Sequence, residues 1–284
     1  MKRILIQLDT DPIPSVFDRI VAVDAGAEEI FSLGGITPEN VAPFVHGAIF
    51  TRGIKDLANT AIFVGGSDPR AAETVFRTVN ETFIGPLRVS SMLDPNGAAT
   101  TAAAAVRYAS RHVQLSQATA LILAGTGPVG QRTALILAAA GAKVRIASRS
   151  AERANAVAEM VRNRISGAHV TGCVQSDEDL PANVDGIQLL IAAGAAGVTF
   201  LKQEEWSSID SLKVAIDLNA VPPYGLEGIE PTHKAENRGN VAIYGALGVG
   251  GLKMKTHRAA IEKLFSANDL VLDTEAIYQL SETV

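Results

Sequence analysis

The sequence predicts an α/β protein of two domains with a cleft between them. Three observations support this fold class: a length of 284 residues, short apolar runs that alternate with helical patterns, and a glycine motif between one such run and a helix. At roughly 150 residues per domain, the length alone suggests two domains. Apolar runs that alternate with helices predict parallel strands in an open sheet.

The composition is that of a globular protein and excludes several other classes. Hydrophobic residues make up 47% of the chain and charged residues 19%, whereas a disordered chain combines low hydrophobicity with high net charge. The net charge of −5 argues against nucleic-acid binding, which usually needs a basic face. No apolar run has the length of a membrane span, and the first residues do not resemble a targeting segment. We therefore expect a cytoplasmic protein that binds neither nucleic acid nor membrane.

The first part of the chain, residues 1–105, is expected to form an open α/β domain. The predicted strands are residues 4–8, 30–33, 60–64 and 87–92, and the predicted helices include 14–25 and 69–83. Thr37 and Pro38 predict a further helix start, with Thr37 as its cap. A long alanine-rich helix, residues 100–112, is expected to connect this domain to the next.

The second part, residues 106–255, contains the glycine motif. Gly125, Gly127 and Gly130 form the pattern G-x-G-x-x-G, after a predicted strand and before a predicted helix. This arrangement is typical of a Rossmann βαβ unit that binds a dinucleotide. Gly125 would permit the tight turn, Gly127 would let the backbone approach the pyrophosphate, and Gly130 would let the helix pack closely. The helix start would offer N–H groups to the phosphates, so the predicted site also includes Thr126, Pro128 and Val129.

The end of the second strand in this unit indicates which dinucleotide binds. NAD sites usually carry an acidic residue there, which bonds the ribose 2′-hydroxyl. This chain instead has Ser148, Arg149 and Ser150, followed by Arg153. Arginine pairs with a 2′-phosphate as a planar fork, whereas a carboxylate would repel it. The sequence therefore predicts NADP; in the alternative reading, Arg149 and Arg153 are solvated residues at a helix start, paired with Glu152.

Six segments are more distinctive than the glycine motif. They are LDTDPIPSVFD (8–18), TAIFVGG (60–66), SSMLDPNGAATTAAA (90–104), LAGTGPVG (123–130), DLNAVPPYGLEGI (217–229) and GALGVGGLKMKTHR (245–258). Together they resemble the NADP-dependent methylene-tetrahydromethanopterin dehydrogenases of methylotrophic bacteria, some of which also act on methylene-tetrahydrofolate. The resemblance implies hydride transfer from the methylene bridge of the pterin to NADP, in one-carbon metabolism. It also implies that residues 256–284 return to the first domain.

The fold class that follows is α/β, with an N-terminal open α/β substrate domain and a Rossmann NADP-binding domain. Because ligands of open α/β sheets bind beyond the carboxyl ends of the strands, polar residues there are candidate pterin contacts. These candidates are Asp9, Asp11, Asp18, Asp94, Asn96 and Thr101. Their carboxylates could accept hydrogen bonds from pterin N–H groups. In the alternative reading, Asp9 or Asp11 caps the first helix, and residues 94–97 are only a turn.

The resemblance places an active-site lysine in the GGLK segment, which is Lys253 here. We expect Lys253 to orient the pterin from the start of a helix at 252–265, where the helix dipole would slightly disfavour its ammonium form; alternatively, it is a surface lysine. Further cofactor contacts are expected after the later strands and in a mobile-looking glycine run at 246–251. They are Ala192, Ala193, Asn219, Ala246 and Gly248.

The five histidines and the single cysteine show no metal-binding spacing, so no metal site is predicted. We expect surface or packing roles for the histidines, a packing role for Cys173, and an amphipathic surface turn around Trp206. Two other functions stay open: a shikimate-type NADP-dependent dehydrogenase, with Lys253 and Asp9 or Asp94 as acid and base, and a non-catalytic NADPH-binding sensor. Both pterin carriers stay open as substrates, and the apolar content is compatible with a homo-oligomer.

Overall fold

A computed structural model of the chain describes residues 1–176, 178–195 and 197–284. The chain divides into two compact units. The first unit combines residues 1–100 with residues 254–284, and the second comprises residues 101–253. Within the described ranges, no helix has the length and apolar character that crossing a membrane would require.

The described regular elements alternate along the chain. The strands are β1 (Ile4–Asp9), β2 (Glu29–Leu33), β3 (Thr60–Gly65), β4 (Ser90–Leu93), β5 (Thr119–Leu123), β6 (Lys143–Ser148), β7 (Val170–Val174), β8 (Leu189–Ala192), β9 (Val214–Asp217), β10 (Lys234–Arg238), β11 (Val241–Tyr244) and β12 (Val271–Leu272). The helices are α1 (Val16–Asp24), α2 (Ala42–Phe50), α3 (Pro69–Thr82), α4 (Ala98–Ala109), α5 (Pro128–Ala139), α6 (Ala151–Arg164), α7 (Leu180–Val184), α8 (Gln203–Ser207), α9 (Ala246–Leu264) and α10 (Thr274–Leu280).

The sheet of the first unit has five parallel strands in the order β2-β1-β3-β4-β12. Every residue of β3 is buried, as expected for a central parallel strand that is covered on both faces. The strand order changes direction between β1 and β3. In open α/β sheets a ligand binds at such a switch point, beyond the carboxyl ends of the two strands.

The sheet of the second unit has seven strands in the order β10-β11-β9-β8-β5-β6-β7. Only the edge strand β10 is antiparallel among the described strands of this sheet; its neighbours pair in parallel. The parallel part runs in both directions from β5, which is the Rossmann order with its switch point between β5 and β8. The glycine motif follows β5 directly, so it lies at that switch point.

Each sheet packs against helices through a core of aliphatic side chains. In the first unit, residues such as Leu8 and Ile62 pack with Val45 of α2 and Val75 of α3. In the second unit, the core includes Trp206, which is 0% exposed. Its indole N–H donates to the carbonyl of Glu227 at 3.0 Å. The prediction of a turn there was wrong, because these residues form the helix α8. The predicted amphipathic character is present, with Glu204 exposed and Trp206 in the core.

The predicted helix start at Thr37 was also wrong. The carboxamide oxygen of Asn40 accepts the N–H of Thr37 at 2.8 Å, and the N–H of Asn40 donates to the carbonyl of Thr37 at 3.2 Å. These bonds close a turn over residues 37–40. The helix α2 begins at Ala42 instead, and Pro43 occupies its first turn, where a missing N–H has no effect on the helix.

The glycine run before Lys253 is helical, which corrects the expectation of a mobile segment. Helix α9 begins at Ala246. The N–H groups of Leu247 and Gly248 donate to the carbonyl of Pro231 at 2.8 and 3.0 Å. A Cβ atom on Gly248 would lie 2.0 Å from the carbonyl oxygen of His233. The glycine therefore lets the helix start pack directly onto the chain at residues 231–233.

Candidate functional site

Two glycines of the motif are required by the packing of the fold itself. A Cβ atom on Gly130 would lie 2.6 Å from the Cα and carbonyl oxygen of Gly125, and one on Gly125 would lie 3.0 Å from Ile122 and Ile146. Position 130 excludes a side chain, and position 125 leaves very little room for one. The left-handed conformation in this turn belongs to Ala124, with φ of 50°, and not to Gly125. Gly125 serves the expected tight turn through close packing and not through a left-handed dihedral angle.

The fold does not require a glycine at position 127. An added Cβ atom there would lie 3.8 Å from the carbonyl oxygen of Ala193 and 3.9 Å from that of Ala124, which are ordinary contact distances. The backbone, with φ −77° and ψ 172°, is open to any residue. Gly127 is the N-cap of α5, which continues with Pro128 and Val129. Free space beside a helix N-terminus fits a pyrophosphate.

Two glutamine side chains hold this loop in shape. The carboxamide oxygen of Gln175 accepts the N–H of Ala124 at 3.0 Å, and the carboxamide nitrogen of Gln131 donates to the carbonyl of Thr126 at 2.7 Å. Gln175 was missed by sequence reasoning. Its position directly after β7, at the carboxyl end of a Rossmann strand, is the signal that could have identified it.

The predicted 2′-phosphate residues share one concave surface beside this loop. A cavity of about 440 Å³ is lined by Thr126, Ser148, Arg149, Ser150 and Arg153. The other lining residues are Ala124, Gln175, Ala195 and Phe200. Among the described residues that line the cavity, two are arginines and none is acidic. The volume falls within the usual range of ligand pockets, and the charge favours an anionic group.

The two serines of this cavity shape the turn between β6 and α6. The hydroxyl oxygen of Ser148 accepts the N–H of Ser150 at 3.2 Å. That of Ser150 accepts the N–H of Arg153 at 3.3 Å and caps α6. The start of α6 therefore lies at the cavity, where its dipole also favours an anion.

The residues predicted to contact the nicotinamide half lie after the strands on the other side of β5. Ala192 ends β8 and is buried, and the carbonyl of Ala193 lies next to Gly127. The side chain of Asn219 accepts the N–H of Val221 at 3.0 Å and donates to the carbonyl of Pro223 at 3.2 Å. Asn219 thus stabilises the loop after β9.

The same loop depends on Asp217, which sequence reasoning did not select. Its carboxylate is buried and accepts the N–H groups of Asn219 at 3.0 Å and Leu226 at 2.8 Å. Burial raises the pKa of Asp217 above its usual value, although the backbone hydrogen bonds act in the opposite direction. We assign Asp217 a structural role.

Lys253 occupies a different place in its helix from the one expected. It is partly buried and lies about two turns after the first residue of α9. The field of a helix dipole falls off within the first turn. The expected effect of the dipole on its ammonium group is therefore wrong. The structure places Lys253 in the second unit, together with the predicted cofactor residues Ala246 and Gly248.

In the first unit, two predicted acids bond to the loops after β1 and β3. The carboxylate of Asp9 accepts the N–H groups of Asp11 at 2.9 Å and Ser15 at 3.1 Å. That of Asp11 accepts the N–H of Ser67 at 3.0 Å and its hydroxyl at 2.8 Å. These bonds stabilise the loops before α1 and α3. The alternative in which Asp9 or Asp11 caps the first helix was wrong, because Ser15 caps α1 and its hydroxyl oxygen accepts the N–H of Asp18 at 3.2 Å.

The segment after β4 follows the same principle. The carboxylate of Asp94 accepts the N–H of Ala99 at 2.8 Å and the hydroxyl of Thr100 at 2.7 Å, so it stabilises the start of α4. Asn96 is exposed in the turn with φ of 53°. Thr101 follows in α4, at the first residue of the second unit.

Asp18 differs from the other predicted acids because its carboxylate faces a buried histidine. Asp18 is 6% exposed and lies in α1. Its Oδ1 is 3.9 Å from Nε2 of His257, which is 0% exposed. The carboxylates of Asp18 and Asp9 both lie beside Gly65, where an added Cβ atom would be 3.8 and 3.4 Å from them. These groups form a cluster at the carboxyl ends of β1 and β3.

Among the described residues, no group of three or more histidine, cysteine or acidic side chains is arranged to hold a metal ion. Cys173 is partly buried, and burial raises the pKa of its thiol to about 11 against the opposing effect of Arg145.

Comparison with known proteins shows similarity over almost the whole chain. A family described as "Methylene-tetrahydromethanopterin dehydrogenase, N-terminal" matches residues 16–96. The "Bifunctional protein MdtA" of Methylorubrum extorquens is 45% identical and covers 99% of this chain and 98% of its own length. The "NAD(P)-dependent methylenetetrahydromethanopterin dehydrogenase" of the same organism is 33% identical and covers 94% of this chain and 93% of its own length.

The fold is similar to that of a solved dehydrogenase. The structure of shikimate 5-dehydrogenase from Listeria monocytogenes aligns with a TM-score of 0.55, at 14% identity, over 98% of this chain and 96% of that chain. At this identity the likeness shows the fold alone. It confirms the predicted α/β fold class with an N-terminal α/β domain and a Rossmann domain.

Proposed function

The chain belongs to the methylene-tetrahydromethanopterin dehydrogenase family, and on this premise we propose that it transfers a hydride from methylene-tetrahydromethanopterin to NADP. The resemblance noted in the sequence is thereby confirmed for the family. The observation that carries the proposal is the 33% identity to an NAD(P)-dependent dehydrogenase of this carrier along 94% of the chain. The preference for NADP rests on the cavity beside the glycine loop.

The proposed reaction places modest chemical demands on the protein. When the methylene bridge between two pterin nitrogens loses a hydride, the methenyl cation is stabilised by those nitrogens. No covalent nucleophile takes part. NADP, when bound, supplies the hydride acceptor. The chain's own residues have to bind both molecules, orient the reacting carbons and exclude water.

The proposed NADP residues have separate roles. Gly127 and the N-terminus of α5 would hold the pyrophosphate, since the fold leaves space there. Arg149 and Arg153 would pair with the 2′-phosphate, because both line the cavity at the end of β6. Asn219 and Ala193 stay proposed contacts of the nicotinamide half, in addition to their bonds within the fold.

The proposed pterin residues belong to the first unit, with the exceptions of Thr101 and Lys253. Asp18 is the acid whose charge we expect to favour the methenyl cation, since a nearby carboxylate stabilises developing positive charge. Asp9, Asp11 and Asp94 would act mainly by shaping the loops that contact the pterin. Asn96 and Thr101 stay proposed contacts. Lys253 is proposed as the catalytic residue that orients the pterin.

The experiment that tests this function is a spectrophotometric assay at 340 nm. It uses methylene-tetrahydromethanopterin and methylene-tetrahydrofolate in turn, each with NADP and NAD. Turnover of the methanopterin carrier with NADP, faster than with NAD, is the expected result. The second carrier is included because one relative is named bifunctional.

Two other outcomes of the assay would replace the proposal. Turnover of a hydroxy acid with NADP, and none with a methylene-pterin, would assign a shikimate-type dehydrogenase. NADPH binding by fluorescence without turnover of any of these substrates would assign a sensor. Methylene-pterin turnover, hydroxy-acid turnover and NADPH binding are measured in one preparation. These outcomes then stay distinct, because NADPH binding also shows that the protein is folded.

A further inference from the structure

His257 has surroundings that its expected surface or packing role does not explain. Its imidazole is fully buried and lies near two aromatic rings. The ring centroid of Phe63 is 5.9 Å away, with 20° between the planes, and that of Phe17 is 6.2 Å away. The imidazole therefore packs beside both rings. Its Nε2 lies 3.9 Å from Oδ1 of Asp18.

The carboxylates of Asp9 and Asp18 in this cluster lie beside different groups. The oxygens of Asp9 accept backbone N–H groups from Asp11 and Ser15, so their direction is set by the loop. The oxygen Oδ1 of Asp18 is directed toward the imidazole of His257. Both acids are almost completely buried, and a carboxylate in such a position needs hydrogen-bond donors to stay ionised.

We propose that His257 is a positioning residue: its Nε2–H holds the Asp18 carboxylate in the orientation that meets the pterin. The inference rests on the proposed function, because it takes Asp18 as a substrate contact. The distance of 3.9 Å exceeds the length of a hydrogen bond. Hydrogen bonds of active sites are often long without substrate and shorten in its complex.

The first test asks whether the pair exists, independently of any activity. Nitrogen-15 NMR of the full chain distinguishes the Nε2–H from the Nδ1–H form of each histidine, and His257→Gln assigns the signal. We expect the Nε2–H form for His257, with a shifted Nε2 signal in Asp18→Asn and on addition of methenyl-tetrahydromethanopterin. An Nδ1–H form, or the same signal in all three samples, would overturn the proposal.

The second test asks whether the pair acts on the substrate. His257→Leu fills much of the same space without a donor, whereas His257→Gln places an amide nitrogen near the position of Nε2. We expect His257→Leu to raise the KM for the methylene-pterin by about tenfold or more, the typical effect of a lost hydrogen bond to a charged group. The KM for NADP should not change, and His257→Gln should recover most of the loss.

Two controls separate positioning from stability. His46→Gln replaces an exposed histidine of the same unit and should keep the wild-type KM. In the Asp18→Asn background, His257→Leu should cause little further loss. If His257→Leu and His257→Gln lower Tm equally and leave the pterin KM unchanged, His257 is a packing residue and the inference is wrong. Failure of the proposed function is a different result: the wild-type protein itself would not turn over a methylene-pterin.

Discussion

Replacing Gly127 with alanine tests whether this glycine serves a ligand or the fold. The added methyl group would lie 3.8 Å from its nearest neighbour, the carbonyl oxygen of Ala193, in a backbone conformation that alanine adopts without strain. Glycine-to-alanine changes at such positions stabilise a protein by about 0.4–1 kcal/mol, because the unfolded chain loses conformational freedom. We therefore expect the free energy of unfolding of Gly127→Ala to equal or exceed the wild-type value.

The same methyl group would stand where the pyrophosphate approaches the start of α5. A phosphate that bonds the N–H groups of this helix would have to move away from them. We expect the Kd for NADPH to rise at least about tenfold, which corresponds to about 1.4 kcal/mol. Stability and cofactor affinity should thus change independently in this variant.

Gly130→Ala is the matched control, since it inserts the same methyl group into the fold. That group would lie 2.6 Å from backbone atoms of Gly125, so the loop and helix would have to separate. Overpacking of this kind costs about 1–3 kcal/mol. Urea unfolding and NADPH fluorescence titration measure both variants. Wild-type NADPH affinity in Gly127→Ala, or a loss of stability as large as that of Gly130→Ala, would refute the reasoning.

Three further predictions follow from the same structure. Arg149→Ala should raise the Kd for NADP about tenfold or more and leave that for NAD almost unchanged, because only NADP carries the 2′-phosphate; an equal loss for both would contradict the 2′-phosphate role. Asp217→Ala should lower the free energy of unfolding in urea by about 2–4 kcal/mol, since the N–H groups of Asn219 and Leu226 lose their acceptor; a change below about 1 kcal/mol would contradict this. The pKa of the Cys173 thiol is raised to about 11, so in the native chain it should react with iodoacetamide at pH 8 roughly a hundredfold more slowly than in the unfolded chain. The native rate should rise with pH up to about 11. Equal rates at pH 8 would show that the thiol is not buried.

A helix could be predicted where the hydrophobic pattern of the sequence and a capping residue indicate the same first residue. The helices α6 and α10 begin after Ser150 and Asp273, whose side chains cap them, and the structure has both where the sequence places them. The start of α9 could not be predicted, because three glycines in its first six residues disfavour a helix. The carbonyl of Pro231 accepts two N–H groups at this helix start. Pro231 lies close to the helix start only in the folded chain.

The roles of polar residues near the strand ends were harder to predict. The positions of Asp9 and Asp94 at carboxyl ends of strands follow from the sequence, but their hydrogen bonds to the backbone do not. An acid that shapes a loop and an acid that faces a ligand have the same local pattern. Asp18 stands apart only because α9 brings His257 to it, from more than two hundred residues further along the chain.

The sequence by itself determined the class of fold, the glycine loop and the family, because these depend on local periodicity and on residues close together in the chain. Only the tertiary structure decided the strand order of each sheet and the place of Gln175 and Phe200 around the cavity with Arg149. It also decided which glycine is left free of packing. The physical reason is that a side chain's neighbours across a sheet or a helix contact are set by packing over long distances in sequence, which no local pattern records.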